Sequence, residues 1–127
     1  MPTPRSNWLW VDLSTDVAVT NKNVLVARPC PVNGTVKQVE VYASALLTTA
    51  GCGVLTVYKN ALNLLSAASV NLFSEVVADT RETEVLTTAN QQLRVTTTDT
   101  LKAGYTLTTA NAAITYGCLV AIEPDVW

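Results

Sequence analysis

The chain reads as an all-β protein, an antiparallel β-sandwich, on three observations. Apolar and polar residues alternate over short runs, as in Val39-Glu40-Val41 and Leu93-Arg94-Val95-Thr96, which turns one face of a sheet inward and the other to water. These runs are rich in Val and Thr and recur at roughly eight- to twelve-residue spacing, as in sandwiches and barrels. No stretch between them has room for the long helical crossovers that parallel strands require. A length of 127 residues suits one domain. We divide the chain into an N-terminal arm, 1–10, and a sandwich domain, 11–127.

The arm carries Pro2 and Pro4, which hold the backbone extended and resist helix. Its two tryptophans, Trp8 and Trp10, either tuck over the sandwich end as a first edge strand or anchor the arm on a neighbouring protein. Strands are predicted at 8–13, 16–20, 23–28, 35–44, 53–59, 67–72, 84–88, 92–98, 105–110 and 117–123. Asn33-Gly34 predicts a hairpin turn between 24–28 and 36–43, because both residues tolerate positive φ. The phase of alternation changes between Val36 and Val39, which predicts a bulge near Lys37-Gln38. Gly51 and Gly53 bracket the next corner, Asn60 and Asn63 mark a loop, and Gly104 and Gly117 precede the last two strands. Segment 62–77 is ambiguous: Leu62, Leu65, Ser69 and Phe73 share a helical face, while Val70 and Leu72 fit a strand. A short helical turn around 74–78 is the weaker expectation there. Residues 124–127 leave the final strand and end on Trp127.

Apolar residues make up 49% of the chain and net charge is only −2, which excludes a disordered chain. Charged residues make up 14%, about half the usual share, so part of the surface is expected to be covered by a partner or by further copies. The basic residues Arg5, Lys22, Arg28, Lys37, Lys59, Arg81, Arg94 and Lys102 are scattered singly and form no stripe for phosphates, so nucleic acid is not an expected partner. No apolar run approaches the ~20 residues that span a bilayer, and no apolar signal core follows Met1, so synthesis and folding in a cytoplasm are expected. Cys30, Cys52 and Cys118 are odd in number and widely spaced, without the short paired spacings of a metal site. They read as small buried hydrophobes, with a Cys30–Cys52 or Cys52–Cys118 bridge as the alternative.

Nothing in the sequence assembles a catalytic centre. Nucleophile–base pairs usually need histidine, and the chain has none. Glu75, Asp79, Glu82 and Glu84 cluster in sequence, but with Arg81 among them they read as an exposed loop rather than a glycosidase pair or a calcium site. Asp12-x-Ser14-x-Asp16 alternates oxygen ligands, yet lacks the glycine and distal glutamate of a calcium loop; it reads as turn chemistry at a strand end. Asn33-Gly34-Thr35 matches a glycosylation sequon, read here only as the turn. No enzyme activity, cofactor or metal is expected. Sugar binding would use exposed aromatics, for which Trp8, Trp10, Tyr42, Tyr58, Tyr105, Tyr116 and Trp127 are the stock. Tyr105 alternates with Leu107, and Tyr58 with Val54 and Thr56, so core or interface packing is favoured over a sugar platform.

Four stretches taken together carry a resemblance. They are Pro31-Val32-Asn33-Gly34-Thr35-Val36, the strand at 39–44, Leu55-Thr56-Val57-Tyr58-Lys59-Asn60, and Leu101-Lys102-Ala103-Gly104-Tyr105-Thr106-Leu107-Thr108. In that order they resemble the head decoration, or cement, proteins of tailed bacteriophages, small β-sandwiches encoded beside the coat protein. The likeness covers residues 20–122 and is one of pattern. It departs where many such sandwiches place Asp after the late glycine, since this chain has Tyr105. The resemblance implies a jelly-roll-like subunit, made in the host cytoplasm and seated as a homotrimer on the outer capsid of the virion. There it would bridge subunits of the major capsid protein. Arg5, Trp8, Trp10 and Trp127 are the candidate partner-binding residues. The alternative is a receptor- or carbohydrate-binding domain of a phage fibre or spike.

Overall fold

The structure, a computed structural model, describes residues 8–17, 22–43, 52–71, 82–107 and 114–125. It is an all-β sandwich of two antiparallel sheets. The first sheet comprises β1 (Leu9–Asp12), β2 (Thr15–Val17), β4 (Gly34–Ala43), β8 (Glu82–Glu84), β9 (Arg94–Val95) and β11 (Ile114–Pro124). Its order is β1-β11-β4-β8, with β2 also on β11 and β9 also on β4. The second comprises β3 (Lys22–Pro29), β5 (Cys52–Lys59), β6 (Leu62–Asn63), β7 (Val70–Asn71) and β10 (Thr100–Leu107), in the order β3-β10-β5-β6, with β7 also on β5. The one described helix, α1 (Asn90–Leu93), is a single turn. No described helix is long and apolar enough to cross a membrane.

Alternation builds the core as the sequence predicts. Val36, Val39 and Val41 of β4 and Tyr116, Cys118, Val120 and Ile122 of β11 face Leu55 and Val57 of β5 and Leu101, Ala103 and Tyr105 of β10. Full burial of each such Val, Leu or Ile side chain contributes about 1.5–3 kcal/mol. The bulge falls where the phase changes: Ala121 lies opposite Gln38 but Ile122 lies opposite Val36, so Lys37 is the extra residue. It leaves Lys37 exposed, 3.9 Å from Glu123. Across 62–71 the short strands β6 and β7 form, not a helix. Asn60 closes the loop after β5 with φ of 54°, a conformation its side chain tolerates. The expected helical turn at 74–78 lies outside the described residues.

Several expectations fail. Gly104 and Gly117, expected to precede the last two strands, lie inside β10 and β11, and Glu82–Glu84, read as loop, forms β8. Asn33-Gly34 is not a hairpin turn: β3 pairs with β10 and β4 pairs with β11, so residues 30–33 carry the chain from one sheet to the other. Asn33 serves as a corner post there, its Oδ1 accepting the Thr97 N–H at 2.9 Å and its carbonyl the Asp125 N–H at 3.0 Å. Gly34 answers a need for space beside β11 rather than for positive φ. The predicted strand at 92–98 is instead α1 followed by β9 and a turn. Thr87 Oγ1 accepts the Ala89 N–H and donates to Gln92 Oε1, which favours the helical turn locally.

Cys30 and Cys118 are both free and buried, as expected of small buried hydrophobes, so neither alternative disulfide forms; the Cys52 side chain lies outside the described residues. Burial pushes the Cys118 thiol up to about 12 and also raises that of Cys30, whose Sγ donates to the Val32 carbonyl at 3.1 Å. Tyr105 and Tyr116 meet across the sandwich with ring centres 6.0 Å apart. The Tyr105 hydroxyl, its pKa driven far up by burial, donates to the Leu13 carbonyl at 2.7 Å. Tyr105→Phe removes that donor from a buried acceptor and is expected to cost about 1–3 kcal/mol in urea unfolding. A loss below about 0.5 kcal/mol would mean that the bond adds little to the net balance.

Candidate functional site

The two long sides of the sandwich end differently. On one side the chain sews the sheets together. Leu65, after β6, bridges Leu86, after β8, with the Ser66 N–H on the Val85 carbonyl and the Thr87 N–H on the Leu64 carbonyl, both at 2.9 Å. The edge strand β8 adds a second guard, since Glu84 and Glu82 stand opposite Val39 and Val41 and charge deters edge pairing. On the other side β1 and β3 are the terminal strands of their sheets, and no described strand pairs with their outer edges. Between them lies an open crevice of about 400 Å3 lined by Leu9, Trp10, Val11, Asp12, Arg28, Pro29 and Pro31.

Hydrogen bonds at the strand ends show which backbone groups these edges present. The Cys30 N–H donates to the Asp99 carbonyl at 2.9 Å, and the register places Pro29 opposite Thr100. Antiparallel pairs alternate between residues that exchange hydrogen bonds and residues that turn away. Arg28, Val26 and Val24 thus face β10, whereas Ala27, Leu25 and Asn23 turn their N–H and C=O groups to the free edge. On the far side of β10, Asn60 N–H donates to the Thr100 carbonyl at 2.8 Å, in the same phase. In β1, the Leu13 N–H donates to Cys118 O at 2.8 Å, so Trp10 and Asp12 present the free edge.

This open edge also carries exposed apolar surface. Leu9 is 38%, Trp10 41% and Leu25 64% exposed. Trp10 lies on the outer face of the first sheet, in one row with Ala121 and Gln38. Leu25 lies on the outer face of the second sheet, opposite Gly104. Asp12 is engaged locally, accepting the Ser14 N–H at 2.8 Å as expected of turn chemistry.

Of the residues predicted to bind a partner, the structure places Trp10 at the open edge. Trp8 is only half-buried overall, yet its Nε1 is buried with no hydrogen-bond partner. Arg5 and Trp127 lie outside the described residues. Tyr105 and Tyr116 belong to the core, which removes both from any sugar platform. Leu25, Arg28, Pro29 and Pro31 were missed. For Leu25 a signal exists, since Val24-Leu25-Val26-Ala27 is apolar at every position and so must offer apolar side chains outward.

A second cleft, of about 600 Å3, is lined by Thr35, Lys59, Asn90, Gln91, Arg94, Thr96 and Asp99. Its charges are engaged within the fold. Lys59, 8% exposed, donates to the Gln91 and Arg94 carbonyls, each at 2.7 Å. Arg94 forms a two-pronged ion pair with Asp125, with Nη1 2.6 Å from Oδ1. Asp99 accepts from the Asn60 amide and the Thr96 N–H; these bonds, the Asn60 one foremost, and the nearby Lys59 charge hold its carboxyl below the usual range. The cleft thus fastens α1 and β9 to β5. Among the described residues no group of His, Cys, Asp and Glu is placed to hold a metal ion.

Comparison with protein-family models, with curated proteins and with solved structures returns no match.

Proposed function

We propose that this protein is a structural subunit that decorates a phage capsid, attaching to the major capsid protein and self-associating as a trimer with a jelly-roll-like sandwich. The observation that carries the proposal is the unguarded open edge, where two terminal strands, a crevice and the exposed Trp10 and Leu9 coincide. Natural sheets normally blunt such edges, and among the described residues the guards stand at the opposite one. An apolar edge that no described strand covers, in a chain with only 14% charged residues, suits permanent burial against other subunits. Trimer formation would let three modest contacts act together on a three-fold site of the shell.

In this role Trp10 is the anchor on coat protein, since a large exposed aromatic recovers most energy on burial. Trp10→Ala is expected to weaken co-sedimentation with coat-protein shells by about tenfold or more, with folding retained. Binding of the wild type to no shell, or equal binding by the variant, would count against the assignment.

A further inference from the structure

The outer edge of β3, on which no described strand pairs, has a specific chemical demand, and residues 1–7 of the chain match it in three ways. The first match is in backbone donors. β3 turns outward the N–H and C=O groups of Asn23, Leu25 and Ala27, spaced two apart, and the Ala27 carbonyl there already accepts one bond from Arg28 Nη1 at 3.2 Å, leaving its second lone pair for a neighbour. In the arm, Pro2 and Pro4 share one parity and lack N–H groups, so an extended arm can pair on one side only, through Thr3, Arg5 and Asn7. A one-sided strand suits a terminal edge.

The second match is in side chains. Residues directly opposite in an antiparallel pair share a face. Thr3 and Arg5, set opposite Ala27 and Leu25, therefore lie on the outer, solvent face. Pro2 and Pro4 fall on the inner face beside Arg28 and Val26, where the crevice lined by Leu9, Val11, Pro29 and Pro31 opens. Polar residues go out and prolines go in.

The third match is in reach. Within one copy, Leu9 lies opposite Ile122, two residues before β11 ends at Pro124, so an extended continuation of β1 would run off the end of that strand. To turn back onto its own β3, the arm would have to reverse at Ser6-Asn7 and give up the Asn7 pair. A second copy requires no reversal.

We propose that residues 1–7 of one copy add to β3 of a second copy as an antiparallel strand, seating Pro2 and Pro4 in its crevice. Each of three facing pairs exchanges two hydrogen bonds, and passing the arm from copy to copy closes a ring. The proposal rests on the assembly role above and assigns the arm to the neighbouring copy, leaving Trp10 for the coat.

Proline parity provides the test. In the purified protein without shells, native mass spectrometry is expected to show a multimer for the wild type. Thr3→Pro with Arg5→Pro removes two of the facing N–H groups and is expected to weaken self-association by about a hundredfold or more. Ser6→Pro, of the same parity as the natural prolines, is expected to leave the multimer intact. Circular dichroism checks that both variants keep the sandwich. A photoreactive p-benzoylphenylalanine in place of Arg5, in a refolded mixture of isotopically heavy and light copies, is expected to cross-link to the β3 peptide of the other label. A monomeric wild type, a multimer indifferent to the double variant, equal loss in both proline variants, or cross-links confined to one copy each overturn the proposal. Shell binding is read separately. A monomer that still binds shells overturns arm exchange alone, and an arm-linked multimer that binds no shell overturns the decoration role alone.

Discussion

Gly34→Ala is expected to lower the melting temperature by on the order of 10 °C, from a loss of about 3 kcal/mol. Gly34 is buried at the start of β4, opposite Pro124 of β11 on one side and Val95 of β9 on the other. A Cβ there would overlap the Glu123 carbonyl oxygen and lie 2.8 Å from Ile122 Cγ2. That oxygen belongs to backbone held between paired strands and cannot turn aside as a side chain can. Relief requires β4 and β11 to part at the end of the sheet. Gly117 is the control. A Cβ on it would meet the Tyr42 ring, but Tyr42 is half-buried on the outer face, and rotation moves the ring toward solvent. Gly117→Ala is therefore expected to cost less than Gly34→Ala. Calorimetry on both variants decides, and an equal or larger loss at Gly117 would show the steric account of Gly34 to be wrong.

Lys59→Met is expected to destabilise the protein by about 3 kcal/mol in urea unfolding. Lys59 continues the inward parity of Leu55 and Val57, so its stem crosses toward the opposite layer. Its ammonium donates at 2.7 Å to the carbonyls of Gln91 in α1 and Arg94 in β9. Hydrogen bonds from a charged donor contribute about 1.5–3 kcal/mol each, and methionine keeps the stem while removing every donor. The adjoining cleft admits water to the abandoned carbonyls, which is why the expected cost lies at the low end of the sum of two such bonds. A loss under about 1 kcal/mol would mean that water replaces the ammonium fully. Loss of the Lys59 charge also raises the Asp99 carboxyl toward its ordinary value, readable by NMR titration. A carboxyl held low stabilises the fold while ionised and loses that contribution as pH falls through its folded-state value. The variant should therefore show a weaker acid dependence from this group.

The strands were legible in the sequence because burial on one face imposes a period of two. Val36, Val39, Val41 and the shift between them disclosed β4 and its bulge without any knowledge of the neighbouring strand. The same periodicity placed Tyr105 inward. It failed at 92–98, where Leu93 and Val95 are spaced as in a strand but a single helical turn is held both by Thr87 just before it and by Lys59 from β5. It failed again at Asn33-Gly34, whose composition is shared by hairpin turns and sheet-crossing corners. Turn residues report local backbone needs, and those needs are alike in the two cases.

The candidate site was legible only in part. Trp10 announced itself as an aromatic beside proline-rich arm sequence. Leu25 was visible as an apolar residue at an outward position, yet nothing local made it part of an edge. Arg28, Pro29 and Pro31 carried no signal, because a crevice between two sheets belongs to neither strand.

By itself, the sequence determined that this protein is an all-β sandwich with a Val/Leu core. This follows from chain-local physics: side-chain parity sets the buried face. Only the tertiary structure decided which of the described strands are terminal, that Leu65 and Leu86 close one side while no described strand covers β1 and β3 on the other, and that Lys59 is buried. Those facts depend on pairing between segments far apart in the chain, such as β1 with β11 and β3 with β10. No local pattern encodes them.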